Sequence, residues 1–410
     1  MKIYLVGGAI RDKLLNLSVK DRDWVVVGGT PKMLLELDFK QVGKDFPVFL
    51  HPNNKEEYSL ARVDRKIGLG YTGFEFDYSL NITLKDDLMR RDLTINAIAQ
   101  DDNGNYIDPF HGIQDIKNRI LRHISPAFSE DPLRVLRIAR FCSLFYHLGF
   151  KIAEETVIFI SSMVKKKELL NLTRDRIWKE TEKALNTNNP HIYFRVLYYF
   201  NVLSVLFPEI NIIFNNSIYY RLSDQNSFFS YKKFDMFIEL AKISKVSKNI
   251  DIRFSVLFFC IIRVLLFDIN SYTSLIYKKE LMQYLNMLCK RFCIPIHIKN
   301  LSIIFARFFK FLNVIHFQSS KKIVMFFYSI DAWRKPYIIK KLSILNNFYL
   351  KNFLDIENYK NYPKNFLLSS FDIVNKVSIK SILCKDLCGS DIKSEIINLR
   401  TNILEKWRYK

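Results

Sequence analysis

Glycine nearly vanishes from this chain after residue 129. Of the 12 glycines in 410 residues, only Gly149 and Gly389 lie beyond that point. Tight hairpins and left-handed turns depend on glycine, so residues 129–410 read as almost wholly helical, whereas the preceding stretch reads as mixed α/β. Cysteine is scarce as well. Six thiols in a chain this long make no disulfide framework. Cys142, Cys260, Cys289 and Cys293 sit in apolar or helical contexts, and Cys384 and Cys388 are too few for a zinc site. No apolar run reaches the roughly 20 residues of a spanning helix; the longest, Phe254 to Phe267, is interrupted by Arg263. Strand-like sequence begins at Ile3, which leaves no signal peptide. No period of 20–50 residues repeats, so a solenoid is excluded. A cytoplasmic protein without a membrane partner is expected.

What is present is positive charge and apolar bulk. Lys and Arg number 62 against 41 Asp and Glu, a net charge of +21. Such an excess favours a polyanionic partner, nucleic acid first and an anionic membrane second. Biased coding is the alternative source, because Ile, Asn, Phe, Tyr and Lys are all abundant. The hydrophobic fraction of 49% predicts a packed core rather than disorder.

Three local patterns carry chemistry. In the run LVGGAIRDKLLNLSVKDRDWVVV, Asp21 and Asp23 follow a Gly7-Gly8 turn. A strand turns an i, i+2 pair to one face. Two carboxylates beside a glycine turn that opens a helix suit divalent metal and polyphosphate together, a combination that points to nucleotidyl transfer. Solvated turn residues are the plain alternative for such a pair. Gly7 and Gly8 let backbone N–H groups approach phosphate oxygens, and Arg11 lies one turn into the helix. Next, Arg90-Arg91-Asp92 enters what looks like a helix start. Arg91 suits triphosphate or sugar contact, with Asp92 capping or orienting it; a solvated helix start is the alternative. Third, Ser129 reads as the cap of a helix with Glu130 and Asp131 in its first turn and Pro132 where proline is tolerated. Asp131, Arg134, Arg137 and Arg140 then follow at spacings of three. Three arginines at this density among Leu133, Leu136, Ile138 and Ala139 are costly unless an anion or base sits there; a plain basic helix face is the alternative.

The ordered set LVGGAIRD, D-R-D, RRDLTINAIA, IDPFHGIQDIKNRILRHI and SEDPLRVLRIARF resembles the bacterial CCA-adding enzymes, tRNA nucleotidyltransferases of the class that also contains bacterial poly(A) polymerases. The resemblance covers residues 1–210, including RIWKETEKAL and VLSVLFPEI, and is thin beyond. It implies that Asp21 and Asp23 bind two Mg2+ ions and are catalytic, that Gly8 and Arg11 hold the triphosphate, and that Arg91 contacts the incoming nucleotide. Asp131 and Arg134 would read the base edge, with Arg137 and Arg140 also at the nucleotide. Cytosine and adenine each present an amino donor beside a ring-nitrogen acceptor, so a carboxylate and a guanidinium match both; uracil and guanine mismatch both. The implied partners are CTP, ATP and the acceptor end of tRNA, for a monomer or, alternatively, a dimer.

Poly(A) polymerases share these head motifs and are the nearest alternative; a catalytically inactive RNA-binding protein of the same fold is another. The segments VGKDFPVFLHP and EEYSLARVDRKIGLGYTGF resemble the CCA-adding type. A third metal-binding carboxylate is not fixed by sequence, although Glu57 and Asp64 lie near a candidate strand. Relatives often carry a phosphohydrolase domain with a His-Asp signature. Here no histidine occurs between His191 and His297, and Phe259-Cys260 stands in that place. Neither can replace an imidazole and a carboxylate at a hard metal, so phosphohydrolase activity is expected to be absent. Lys165-Lys166-Lys167, Lys278-Lys279 and Lys321-Lys322 are candidate RNA contacts or solvated faces.

The expected architecture is therefore α+β: a nucleotidyltransferase head with a small mixed sheet over 1–128, and a helical neck with the base-recognition helix over 129–210. A degenerate His-Asp body over 211–330 and a tRNA-binding helical tail over 331–410 complete it. Within the head, strands are expected at Ile3–Val6, Trp24–Val27, Tyr58–Val63 and Asp77–Leu84, with a helix at Ala9–Leu15 and a basic glycine loop at Gly68, Gly70 and Gly73 beside Arg65 and Lys66.

Overall fold

The computed structural model describes all residues except 43–47, 67, 69–73, 216–218, 222–230, 234–235, 268–274, 354–364, 379–388 and 410. The chain divides into two compact units, Met1–Asn211 and Ile212–Lys410.

The first unit is built on a mixed sheet. Its strands are β1 (Lys2–Val6), β2 (Asp23–Val27), β3 (Lys40–Val42), β4 (Val48–Leu50) and β5 (Glu57–Leu60). A separate antiparallel pair, β6 (Val63–Lys66) and β7 (Phe74–Asp77), precedes β8 (Ala99–Gln100) and β9 (Tyr106–Ile107). The seven-stranded order is β3-β4-β5-β2-β1-β8-β9. β1 and β2 are antiparallel, while β2 and β5 run parallel with Asp23 opposite Glu57 and Trp24 opposite Tyr58. The alternation of β2 decides its two faces. Val25 packs with Val6, Ala61, Leu88, Ala97 and Ala99, and Val26 packs with Leu34, Phe39, Phe49 and Leu60. A slip of one residue would exchange those faces, so burial on both sides fixes the register.

Helices α1 (Gly8–Leu14), α2 (Pro31–Glu36), α3 (Leu84–Met89) and α4 (Gly112–Asn118) belong to the head; α5 (Leu133–Phe145), α6 (Glu154–Lys165) and α7 (Arg174–Leu185) follow. α5 contains neither glycine nor proline, and buries Leu133, Leu136, Ile138, Ala139, Phe141 and Phe145. Each such large apolar side chain contributes about 1.5–3 kcal/mol. A 3-10 turn at Tyr146–Leu148 and Gly149, left-handed with φ 79°, stop the helix.

Several expectations are corrected. Asp77–Leu84 is not a strand: β7 ends at Asp77, and Thr83 starts α3 through a capping box with Asp86. Tyr58–Val63 is broken into β5 and β6. Arg90 closes α3 rather than opening a helix. Ser129 does not cap α5; it lies in a 3-10 turn and its Oγ donates to the Pro126 carbonyl at 3.0 Å. Pro132 holds Asp131 extended, at φ −118° and ψ 101°. The Asp131 carboxylate accepts from the Leu133 amide at 3.1 Å instead. Most of the glycine loop, Gly70 and Gly73 included, lies outside the described residues, as do residues 43–47 of VGKDFPVFLHP.

Among its described residues the second unit is helical apart from a short strand pair at Tyr219–Arg221 and Tyr231–Lys233 and the connecting turns. Its main helices are Met236–Val246, Ile250–Phe267, Leu275–Arg291, Ile296–Asn313, Ser320–Ser329, Tyr337–Phe353, Phe366–Asn375 and Gly389–Arg408. Phe259 and Cys260 are buried, and the Phe259 ring packs on Phe305, Phe309 and Tyr349. Among the described residues no helix is long and apolar enough to cross a membrane.

Candidate active site

β1 ends at Val6 and the chain turns at Gly7, whose φ of +73° is the left-handed region. A Cβ there would meet Arg91 Nη1 at 2.8 Å, so only glycine admits that guanidinium. The Gly7 amide donates to the Ile98 carbonyl, and Gly8 opens α1. Arg11 is nearly buried in that helix. Its Nη1 donates to Asn96 Oδ1 at 2.6 Å, its Nε to Asp12, and its guanidinium lies over Phe141 and Phe145. Burial lowers its pKa from the ordinary arginine value, a shift opposed by Asp12.

Asp23 begins β2, whereas Asp21 lies in the coil before it and not on the strand. The pair therefore does not owe its placement to strand alternation. Both side chains are solvent-accessible, yet the Asp23 carboxyl is pushed above its ordinary value, first by desolvation and then by the negative charge of Asp21, against the pull of Arg91. Glu57, opposite Asp23, borders the same cavity, while Asp64 is held between Arg62 and Arg90. Among the described residues no three His, Cys, Asp or Glu side chains converge as a ligand set.

Arg91 is held by Asp87 rather than by Asp92. Asp87 is fully buried; it accepts from Arg91 Nη2 at 3.1 Å and from Arg90 Nη2 at 2.7 Å. Arg91 keeps a buried Nε with no acceptor. Asp92 instead accepts from Arg137 Nε at 2.7 Å and from Asn96 Nδ2 at 2.9 Å. Burial opposes its charge, but Arg137 and the Asn96 bond prevail and hold its carboxyl far below the usual range. Arg140 donates to Glu180 at 2.6 Å and lies over the Phe141 ring. A continuous polar chain thus runs from Arg11 through Asn96, Asp92, Arg137 and Glu180 to Arg140.

These elements enclose one cavity of about 570 Å³. Gly8, Arg11, Asp23, Arg91, Asp131, Arg134 and Arg137 all line it; Asp21 and Arg140 do not. Seven arginines face it against four carboxylates, a field suited to a polyanion. The lining also contains Arg90, noted in the sequence within Arg90-Arg91-Asp92 but given no role, and Arg62 and Arg176, which the sequence did not single out. Asp87 was legible, being an acid three and four residues ahead of Arg90 and Arg91 on a helix. Arg176 was not: its partner Asp131 lies 45 residues away.

A family model described as "Poly A polymerase head domain" matches residues 3–122, and one described as "Probable RNA and SrmB- binding site of polymerase A" matches residues 149–213. The chain is 66% identical to the CCA-adding enzyme of Buchnera aphidicola subsp. Baizongia pistaciae (strain Bp), over 100% of this chain and 97% of that one. The chain belongs to the CCA-adding enzymes. It is also 53% identical to the CCA-adding enzyme of Buchnera aphidicola subsp. Acyrthosiphon pisum (strain Tuc7), over 100% of this chain and 98% of that one. Among solved structures, the Bacillus stearothermophilus CCA-adding enzyme in complex with CTP matches with a TM-score of 0.63 at 18% identity, covering 98% of this chain and 89% of that one. A CCA-adding enzyme complex with ATP matches with a TM-score of 0.58 at 21% identity, over 98% and 86%. At that identity the likeness is one of fold. As a CCA-adding enzyme, the protein is a tRNA nucleotidyltransferase of α+β architecture.

Proposed function

We propose that the head cavity adds C, C and A to the tRNA 3′ end from CTP and ATP, without a nucleic-acid template. The observation that carries this is one cavity joining Asp23 to the base-reading candidates Asp131 and Arg134 through a wall of arginines. That solved relatives are complexes with CTP and with ATP supports the same reading.

In each step the terminal tRNA hydroxyl attacks the α-phosphate of the nucleotide, the bond to the bridging oxygen breaks, and pyrophosphate leaves. Gly8 and Arg11 hold the triphosphate. Arg91, locked by Asp87 with one donor unused, contacts the phosphates or sugar. Asp131 accepts from the exocyclic amino group of cytosine or adenine, and Arg134 donates to the ring nitrogen. Uracil and guanine leave both contacts unpaired, which discriminates by up to about 10⁴-fold. Arg137 faces the nucleotide from its anchor on Asp92. Arg140 acts from behind, fixing Glu180.

Asp21 and Asp23 offer only hard oxygen donors, and the strained ionisation of Asp23 beside Asp21 is what a divalent cation relieves. The residues fit magnesium, which would supply positive charge to activate the attacking hydroxyl and stabilise the leaving oxygens.

The division of labour follows the sequence reading: a catalytic head over 1–128, a neck over 129–210, and body and tail over 211–330 and 331–410 supporting tRNA. Lys165-Lys166-Lys167 and Lys321-Lys322 are exposed, as phosphate contacts require; the Lys278 and Lys279 side chains lie outside the described residues. Burial of Phe259 and Cys260, neither a ligand for a hard metal, supports a body without phosphohydrolase activity. The protein acts in the cytoplasm as a monomer or, alternatively, a dimer.

The test incubates purified protein with tRNA lacking CCA, magnesium and each labelled nucleotide. CTP-dependent addition of two residues followed by a single A is expected. A long A tail would mean a poly(A) polymerase, and no incorporation an inactive RNA-binding protein.

A further inference from the structure

Asp131, extended just before α5, and Arg134, in its first turn, are three residues apart and of opposite charge, so they could pair with each other. Base reading needs the opposite: both groups side by side, each turned to the nucleotide. The two are in fact held by third parties. Arg134 donates from Nη1 to the Ala127 carbonyl at 2.8 Å and from Nη2 to the Arg90 carbonyl. One Asp131 oxygen accepts from the Leu133 amide at 3.1 Å, and the other accepts from Arg176 Nη2 at 2.7 Å. Arg176 arrives from α7, a different element, and itself borders the cavity. Its side chain and that of Asp131 are only 21% and 20% exposed.

We propose that Arg176 is a positioning residue for nucleotide selection: it fixes the Asp131 carboxylate in one orientation and keeps it from closing onto Arg134. With both oxygens anchored to different elements, the carboxylate plane cannot turn, and each oxygen keeps a lone pair for the base. Without Arg176 that oxygen loses its cation, and Arg134, already within electrostatic reach of Asp131, can leave the Ala127 and Arg90 carbonyls to pair with it. The pair would then satisfy itself and present neither a clean acceptor nor a clean donor, so CTP and UTP would come to look alike. Arg176 acts through Asp131 and not on the reacting atoms. This inference rests on the reading of Asp131 and Arg134 as the base-reading pair.

The experiment measures kcat/KM for CTP and UTP on tRNA lacking CCA with four full-length variants: Arg176→Ala, Arg176→Lys, Asp131→Asn, and Arg176→Ala with Asp131→Asn. Circular dichroism and tRNA binding report folding. The CTP-over-UTP ratio should fall roughly 10- to 100-fold in Arg176→Ala, the scale of a misplaced active-site group. It should fall less in Arg176→Lys, which keeps a donor and the charge and serves if the alanine variant misfolds. The double variant should select no worse than Asp131→Asn alone. If Asp131→Asn loses selection while both Arg176 variants slow CTP and UTP equally, the inference is overturned and the base reading stands. If Asp131→Asn keeps full selection, the base reading itself fails and takes the inference with it.

Discussion

Asp92 in the first unit and Asp251 in the second are both buried aspartates with cationic partners, 5% and 4% exposed. Asp92 holds Arg137, and through Asn96 it holds Arg11. Those groups belong to a cavity where seven arginines meet four carboxylates. Asp251 is tied to Lys341 and lies 3.5 Å from His297, beside a pocket of about 140 Å³ with no arginine and no other carboxylate. A buried ion pair is by itself a packing solution and weak evidence of a site. What marks the head is convergence: several such pairs share partners and leave donors turned to one space. The second unit uses its interior for aromatic packing, with the Phe259 ring against Phe305 and Phe309.

That contrast breaks first if catalysis survives loss of Asp23. Asp23→Ala should lower labelled CMP incorporation by about 10⁴-fold, ~5 kcal/mol of barrier, with tRNA affinity in gel-shift titration little changed. Asp92→Asn should cost about 2–4 kcal/mol in urea unfolding, because it removes the closer counter-charge of Arg137 and leaves Glu180 at 3.9 Å to balance it. The sign with pH follows from the lowered carboxyl of Asp92. Its stabilisation is present at neutral pH and wanes only as pH falls below the ordinary aspartate value of about 3.9. A flat wild-type-minus-variant difference between pH 8 and 5 checks this. Asp251→Asn should cost less, about 1–3 kcal/mol, because His297 is mostly exposed and the flexible Lys341 ammonium can turn to water, and should leave kcat/KM for CTP within about two-fold. Smallest is Lys321→Ala with Lys322→Ala. It should weaken tRNA binding a few-fold and lower the slope of log K against log salt by about 1–2, with kcat unchanged.

Much of the head was legible because its signals are local. β1 and β2 follow short apolar runs, α1 opens on a glycine pair, and the loss of glycine after residue 129 marks the helical remainder. Two errors were also local and instructive. Thr83 and Asp86 form a capping box, yet the alternation just before them read as a strand. Pro132 pushed Asp131 out of the helix and made it, rather than Ser129, the partner of the first amide. The site's inner wiring was not legible. Asp92 with Arg137, Asp131 with Arg176 and Arg140 with Glu180 are 40 or more residues apart, and no propensity or spacing reports such a pair. Glu57 and Asp64 stood as equal candidates in the sequence; only the parallel register of β5 on β2 sets Glu57 opposite Asp23.

The central claim is that one protein pair in one cavity accepts both cytosine and adenine. Equilibrium titration of CTP, ATP, UTP and GTP into the tRNA-free protein with magnesium tests it most directly. CTP and ATP should bind and displace each other competitively at a single site, with UTP and GTP at least about ten-fold weaker. Independent, simultaneous binding of CTP and ATP, or UTP binding as tightly as CTP, would contradict it.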